Sequence, residues 1–99
     1  MPAVVREGDP LSTGHGCDGT TVLASTLQPS VFANGILVAV VGTPTVSHTI
    51  PSGNSCVPHV AFLNSGSPSV TIGGVPVGRV GDSADAGAMT GGSPTITAS

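Results

Sequence analysis

Residues 29–42 and 68–81 are two copies of one segment, aligned without a gap at a constant offset of 39 positions. Each copy opens on Pro-Ser-Val, at Pro29 and Pro68, and runs to a turn dipeptide, Asn34-Gly35 or Gly73-Gly74. A second apolar run follows and ends on Gly42 or Gly81. Asn and Gly tolerate positive φ, as two-residue hairpin turns demand, so each copy predicts a β-hairpin. The chain ends hold the two halves of a third copy. Gly92-Ser93-Pro94-Thr95-Ile96-Thr97 repeats the opening, and Pro2-Ala3-Val4-Val5-Arg6-Glu7-Gly8-Asp9 repeats the close. Pairing the N- and C-terminal strands completes a third hairpin and removes two open strand edges. The expected fold is therefore all-β: residues 1–99 form one domain of three pseudo-repeated hairpins with approximate threefold symmetry. An ordinary β-sandwich with chance similarity between its strands is the alternative.

Composition removes several classes of function. Fifteen Gly and nine Pro in 99 residues leave little room for long helices. Mean hydropathy is positive and charged side chains make up 7%, the reverse of a disordered chain. Arg6 and Arg79 are the only basic side chains apart from histidine, too few to neutralise a nucleic-acid backbone. The longest apolar run, Ile36 to Val41, is far short of the roughly 20 residues of a spanning helix. No apolar block of the secretory type follows the amino terminus, so synthesis in the cytoplasm is expected, with Cys17 and Cys56 as thiols or metal ligands.

The connections leaving Asp9, Thr43 and Asp82 should emerge together, opposite the Gly-rich turns. Two of them hold every histidine and cysteine in the chain: His15 and Cys17 in the first, His48, Cys56 and His59 in the second. Zinc takes four imidazole or thiolate ligands in tetrahedral array, and a site filled by four protein ligands is structural rather than catalytic. Cys56-Val57-Pro58-His59 has the spacing of a short C-x-x-H chelate, and a turn at Pro51-Ser52-Gly53-Asn54 can fold His48 back toward it. The expected set is His15, His48, Cys56 and His59, with Cys17 in reserve. Two other arrangements remain open: a Cys17–Cys56 disulfide, and five unconnected loop residues.

Enzymatic chemistry is thinly represented. Asp9 and Asp82 occupy equivalent positions after Gly8 and Gly81, which assigns them to turns. No nucleophile elbow is present, and the glycine pairs lack the lysine and following helix of a phosphate loop. A small metallohydrolase using Glu7 or Asp85 as base is the enzymatic alternative. A free-standing metal-binding adaptor is the other.

The ordered combination resembles the PAAR-repeat family, named for a Pro-Ala-Ala-Arg motif. Pro76-Val77-Gly78-Arg79 followed by Val80-Gly81-Asp82 is similar to that motif. Ala3-Val4-Val5-Arg6-Glu7-Gly8-Asp9 is similar to a version without the proline. Gly66-Ser67-Pro68-Ser69-Val70 and Gly92-Ser93-Pro94-Thr95-Ile96 are similar to the family's strand openings, and Gly8-Asp9 followed by His15-Gly16 to its first ligand segment. The resemblance spans essentially the whole chain. It implies a small non-enzymatic cone that caps and sharpens a trimeric β-helical spike, one tip per trimer, in a phage tail or a type VI-like contractile injection machine. The target membrane would be met only transiently, nucleic acid not at all, and any effector cargo would be bound noncovalently. Structural zinc, with iron as the alternative, would sit near the point, held by three histidines and a cysteine. Two departures are evident. The central unit, residues 37–43, has lost Pro, Arg and Asp, and the third connection, residues 83–89, has neither Cys nor His.

Overall fold

The computed structural model describes residues 1–99 and contains strands, turns and no helix. Ten short strands follow in order: β1 (Pro10–Ser12), β2 (Thr20–Val22), β3 (Phe32–Ala33), β4 (Ile36–Leu37), β5 (His48–Ser52), β6 (Ser55–His59), β7 (Thr71–Ile72), β8 (Val75–Pro76), β9 (Ser83–Ala84) and β10 (Gly87–Met89). The molecule is elongated, 42 × 24 × 21 Å.

Three hairpins form one end. β3 pairs with β4 across Asn34-Gly35, and β7 with β8 across Gly73-Gly74. All four turn residues have φ between +56° and +82°, as the turn chemistry in the sequence requires. The third hairpin is built from the chain ends. Ala3 bridges Thr97, the Val4 amide donates to Ile96 O, and the Ala98 amide donates to Pro2 O. The three hairpins meet in a cycle of backbone bonds: Val5 donates to Gly78, Gly78 to Ala39, and Ala39 back to Val5, at 2.9–3.0 Å. Val4, Ala33, Val38, Val40, Val77 and Ala98 fill the core between them.

Each hairpin leaves this ring through the same β-turn. Arg6-Glu7-Gly8-Asp9, Val40-Val41-Gly42-Thr43 and Arg79-Val80-Gly81-Asp82 are each closed by an amide of the fourth residue donating to the first. Each has glycine at positive φ in third place, a type II requirement. Asp9 and Asp82 accept the amide of their arginine at 2.7 Å and its guanidinium at 2.9–3.0 Å. In the central unit the Thr43 hydroxyl takes the amide of Val40 at 3.3 Å and donates to Val40 O at 2.7 Å. The turn thus survives the loss of the Arg–Asp pair, because a hydroxyl can fill the same bonding position.

Above the turns the chain closes a small barrel. β2, β1, β10 and β9 are hydrogen-bonded in that order. Bridges Leu63–Ala84, Pro44–Phe62 and Leu23–Thr45 complete the circuit back to the end of β2. Closure leaves no open edge at this level. Inward-facing Val5, Leu11, Leu23, Ala39, Leu63, Ala84 and Met89 form the second core. Each of the three connections thus rises through the barrel as a strand pair, and the three tips meet above it.

Candidate metal centre

Each tip has a different form. The first, residues 13–19 between β1 and β2, is held by Thr13, whose buried hydroxyl donates to Asp18 O at 2.7 Å. Gly14 lies so close to the backbone of Ala86 that a Cβ there would stand 2.2 Å from its carbonyl oxygen. This contact joins the first tip to the third. The second tip is the longest hairpin, β5–β6, with His48 directly opposite His59 at its root. The third is the two-residue turn between β9 and β10, where Asp85 sits at φ +54° and its carbonyl accepts the Asn64 side-chain amide at 3.0 Å.

These tips bring His15, His48, His59 and Asp85 together, with one ligand atom from each within 4.8 Å of all the others. His15 Nε2 and His48 Nε2 lie 2.8 and 2.9 Å from Asp85 Oδ2, and His59 Nε2 lies 3.4 Å from Oδ1. The rings of His15 and His48 are stacked at 5.3 Å, and His59 stands edge-on to both. The side chains of His48 and Asp85 are almost entirely enclosed, whereas His59 keeps 28% exposure.

The donor set fits a cation. His15 Nδ1 faces Gly16 O at 2.9 Å, and His48 Nδ1 faces Val46 O at 2.9 Å. A carbonyl only accepts, so in each ring Nδ1 carries a proton and a neutral imidazole leaves Nε2 as a lone pair. Two such lone pairs converge on one carboxylate oxygen. Repulsion follows unless positive charge lies among them, supplied either by further protons or by one cation shared by all four groups. Backbone carbonyls fixing the far nitrogen of each ring are the usual second layer around a metal-bound histidine. Titration follows the same geometry. His15 is raised above the ordinary 6.5, first by the Gly16 carbonyl, against an opposing effect of burial, and further by Asp85. Burial pushes the Asp85 carboxyl up, but its bonds with His15, His48 and His59 outweigh that and hold it below 3.8.

The three expected histidines are gathered here; Cys56 is not. Cys56 is bonded to Cys17 in a disulfide with Cα atoms 6.0 Å apart, and no free thiol remains. The reason is strand geometry. Residues 55–59 are extended rather than looped, so side chains alternate and residues three apart point to opposite faces. Cys56 therefore faces away from His59, and the C-x-x-H spacing chelates nothing on a strand. Asp85 stands in the place expected of the thiolate. Its signal was present in the sequence: the first two connections each carry histidines, and Asp85 is the only metal-ligating side chain in the third beyond the Asp82 turn.

The PAAR motif profile matches residues 13–92, the stretch that contains all three tips. The chain belongs to the PAAR-motif family. Comparison with curated proteins returns no match. The PAAR family is one of structural, spike-tip-associated proteins of contractile injection systems, and the motif match supports a role of that general kind. Its candidate metal group has a carboxylate where the resemblance implied a cysteine.

Proposed function

We propose that this PAAR protein caps the blunt end of a trimeric β-helical spike and gives it a metal-braced point. One zinc ion, or iron in its place, is held by His15, His48, His59 and Asp85. Three imidazole nitrogens and one carboxylate oxygen suit either metal. With four protein ligands its task is to hold the tips together, not to activate water. The role is mechanical: force from the machine drives the tip through the target envelope, and effectors travel bound noncovalently. The working location is the end of a phage tail or of a secretion spike.

The reading rests on the division of the molecule into two unlike ends. The hairpin end has no charged side chain in residues 28–41, 65–78 or 91–99. Val31, Phe32, Ile36, Val70, Val75 and Ile96 are exposed there. All three hairpins line a cavity of about 340 Å³ that includes Val4, Val38, Val77 and Ala98. The cyclic bonds among Val5, Gly78 and Ala39 support an approximately threefold base, the symmetry that three identical spike chains would present. An apolar surface of this kind is unusual on a free monomer, and a stable interface buries on the order of 1,000 Å² or more.

The test is complex formation with the cognate spike trimer, measured by size exclusion with light scattering. One chain per trimer is expected, lost on V70D or I96D with the metal content unchanged. A free-standing adaptor would bind metal and ignore the trimer, and a chain that stays monomeric beside it refutes the capping role.

A further inference from the structure

The disulfide joins the two segments that carry the histidines. Cys17 lies two residues from His15 in the first tip, and Cys56 lies three residues before His59, opposite Pro51. Beyond the His48–His59 pair, β5–β6 continues as a finger whose turn stands roughly 15 Å further out, at about 3.3 Å per residue. Residues 51–58 are all exposed. A lone two-stranded hairpin is barely stable in water, so something must hold this one. Two attachments do, and both come from the His15 tip. Asp18 Oδ2 accepts the Thr49 amide at 2.8 Å and its hydroxyl at 2.9 Å, while the Asp18 amide donates to Thr49 O. The second attachment is the Cys17–Cys56 bond.

We propose that the Cys17–Cys56 disulfide is a redox latch on the metal centre. Closed, it fixes the His15 tip against the finger and presets three imidazoles for one ion. Opened, it leaves the His15 tip tied to the finger by the Asp18–Thr49 bonds alone and to the third tip by the Gly14–Ala86 contact. The finger then loosens, and His15 is held less firmly in the cluster. Both cysteines are exposed, so a thiol reductant reaches them. Its thiolate attacks one Sγ and expels the other as thiolate. A second thiol of the reductant then resolves the mixed disulfide, and each displaced cysteine takes up a proton. In sum two electrons and two protons pass to the cysteines, and the reductant leaves as its own disulfide. A small disulfide oxidant closes the latch by the reverse exchange.

The effect on metal affinity rests on the metal-centre reading; the effect on the finger does not, and two readouts separate them. Zinc chloride is titrated against a chromophoric chelator, using the oxidised chain, the chain reduced with a phosphine, C17S/C56S, and H15A. Amide exchange of residues 49–58 is followed in the same samples. Oxidised protein is expected to bind one zinc, at least tenfold tighter than reduced protein or C17S/C56S. H15A is expected to bind weakly in both redox states. Equal affinity in the oxidised, reduced and C17S/C56S forms overturns the latch. If the oxidised chain binds no zinc, the metal reading fails and exchange decides alone. A tenfold or greater acceleration confined to the finger then supports the latch. An unchanged rate, or protection lost at Leu11, Leu23 and Leu63 of the barrel as well, overturns it.

Discussion

Val5, Ala39 and Gly78 occupy the same place in the three hairpins, and their backbones form the cycle of bonds at the centre of the fold. Their side chains differ as crowding there requires. A Cβ on Gly78 would stand 2.4 Å from Leu63 Cδ2 and 2.6 Å from Val5 Cγ2, well inside contact distance. Val5 and Ala39 are both fully buried. One large, one small and one absent side chain share a space that three of equal size would overfill. G78A should therefore be overpacked by about 1–3 kcal/mol. V5A removes two buried methyl groups, each worth about 0.8 kcal/mol before any cavity is counted. Combined, the new methyl occupies part of the space the old ones leave, and the end of Leu63 can turn into the remainder. G78A/V5A should then be no less stable than V5A alone, a coupling at least as large as the G78A cost, about 1–3 kcal/mol. Urea unfolding of the four proteins measures the cycle, with Tm moving about 4–8 °C per kcal/mol for a chain of this size. Additive losses, or a harmless G78A, would refute the packing around the ring.

Three further outcomes are expected. Without metal, the contribution of His15, whose folded pKa is raised, is complete below 6.5 and lost as pH rises through that raised value. The contribution of Asp85, whose folded pKa is lowered, is complete above 3.8 and lost as pH falls through its folded value. Zinc needs unprotonated Nε2 atoms, so between about pH 6 and 8 Tm should fall with pH in chelator and rise with pH in zinc. Parallel slopes would count against the cluster. T43V should cost about 1–2 kcal/mol in chemical unfolding, because it leaves the buried Val40 amide without the oxygen that replaces the aspartate. G14A should separate the first and third tips and weaken zinc binding at least tenfold, since its Cβ would collide with the Ala86 backbone; unchanged affinity would show that this contact does not position the site.

Much of the fold was legible because turn chemistry and repetition are local signals. Asn34-Gly35 and Gly73-Gly74 announce their hairpins, and the split third copy announces the pairing of Ala3 with Thr97. The β5–β6 hairpin was concealed by Pro51 and Pro58, which argue against strands. Both are tolerated because a two-stranded ribbon is all edge and leaves outward positions with no ladder bond to make. That hidden strand decided the site. Spacing alone places Cys56 beside His59, whereas alternation along β6 turns it toward Cys17. Asp85 was hidden for another reason: a lone aspartate near a turn is usually a turn residue, as Asp9 and Asp82 are. Only the convergence of three tips distinguishes its carboxylate from theirs.

The most direct measurement is metal content of the purified chain by elemental analysis, together with that of D85A, H48A and C17S/C56S. One zinc or iron per chain is expected in the parent protein and, with free zinc in excess of a weakened affinity, in C17S/C56S, with loss from D85A and H48A. Metal retained by D85A but lost from C17S/C56S, or no stoichiometric metal in the parent protein, would contradict a point organised by three histidines and Asp85.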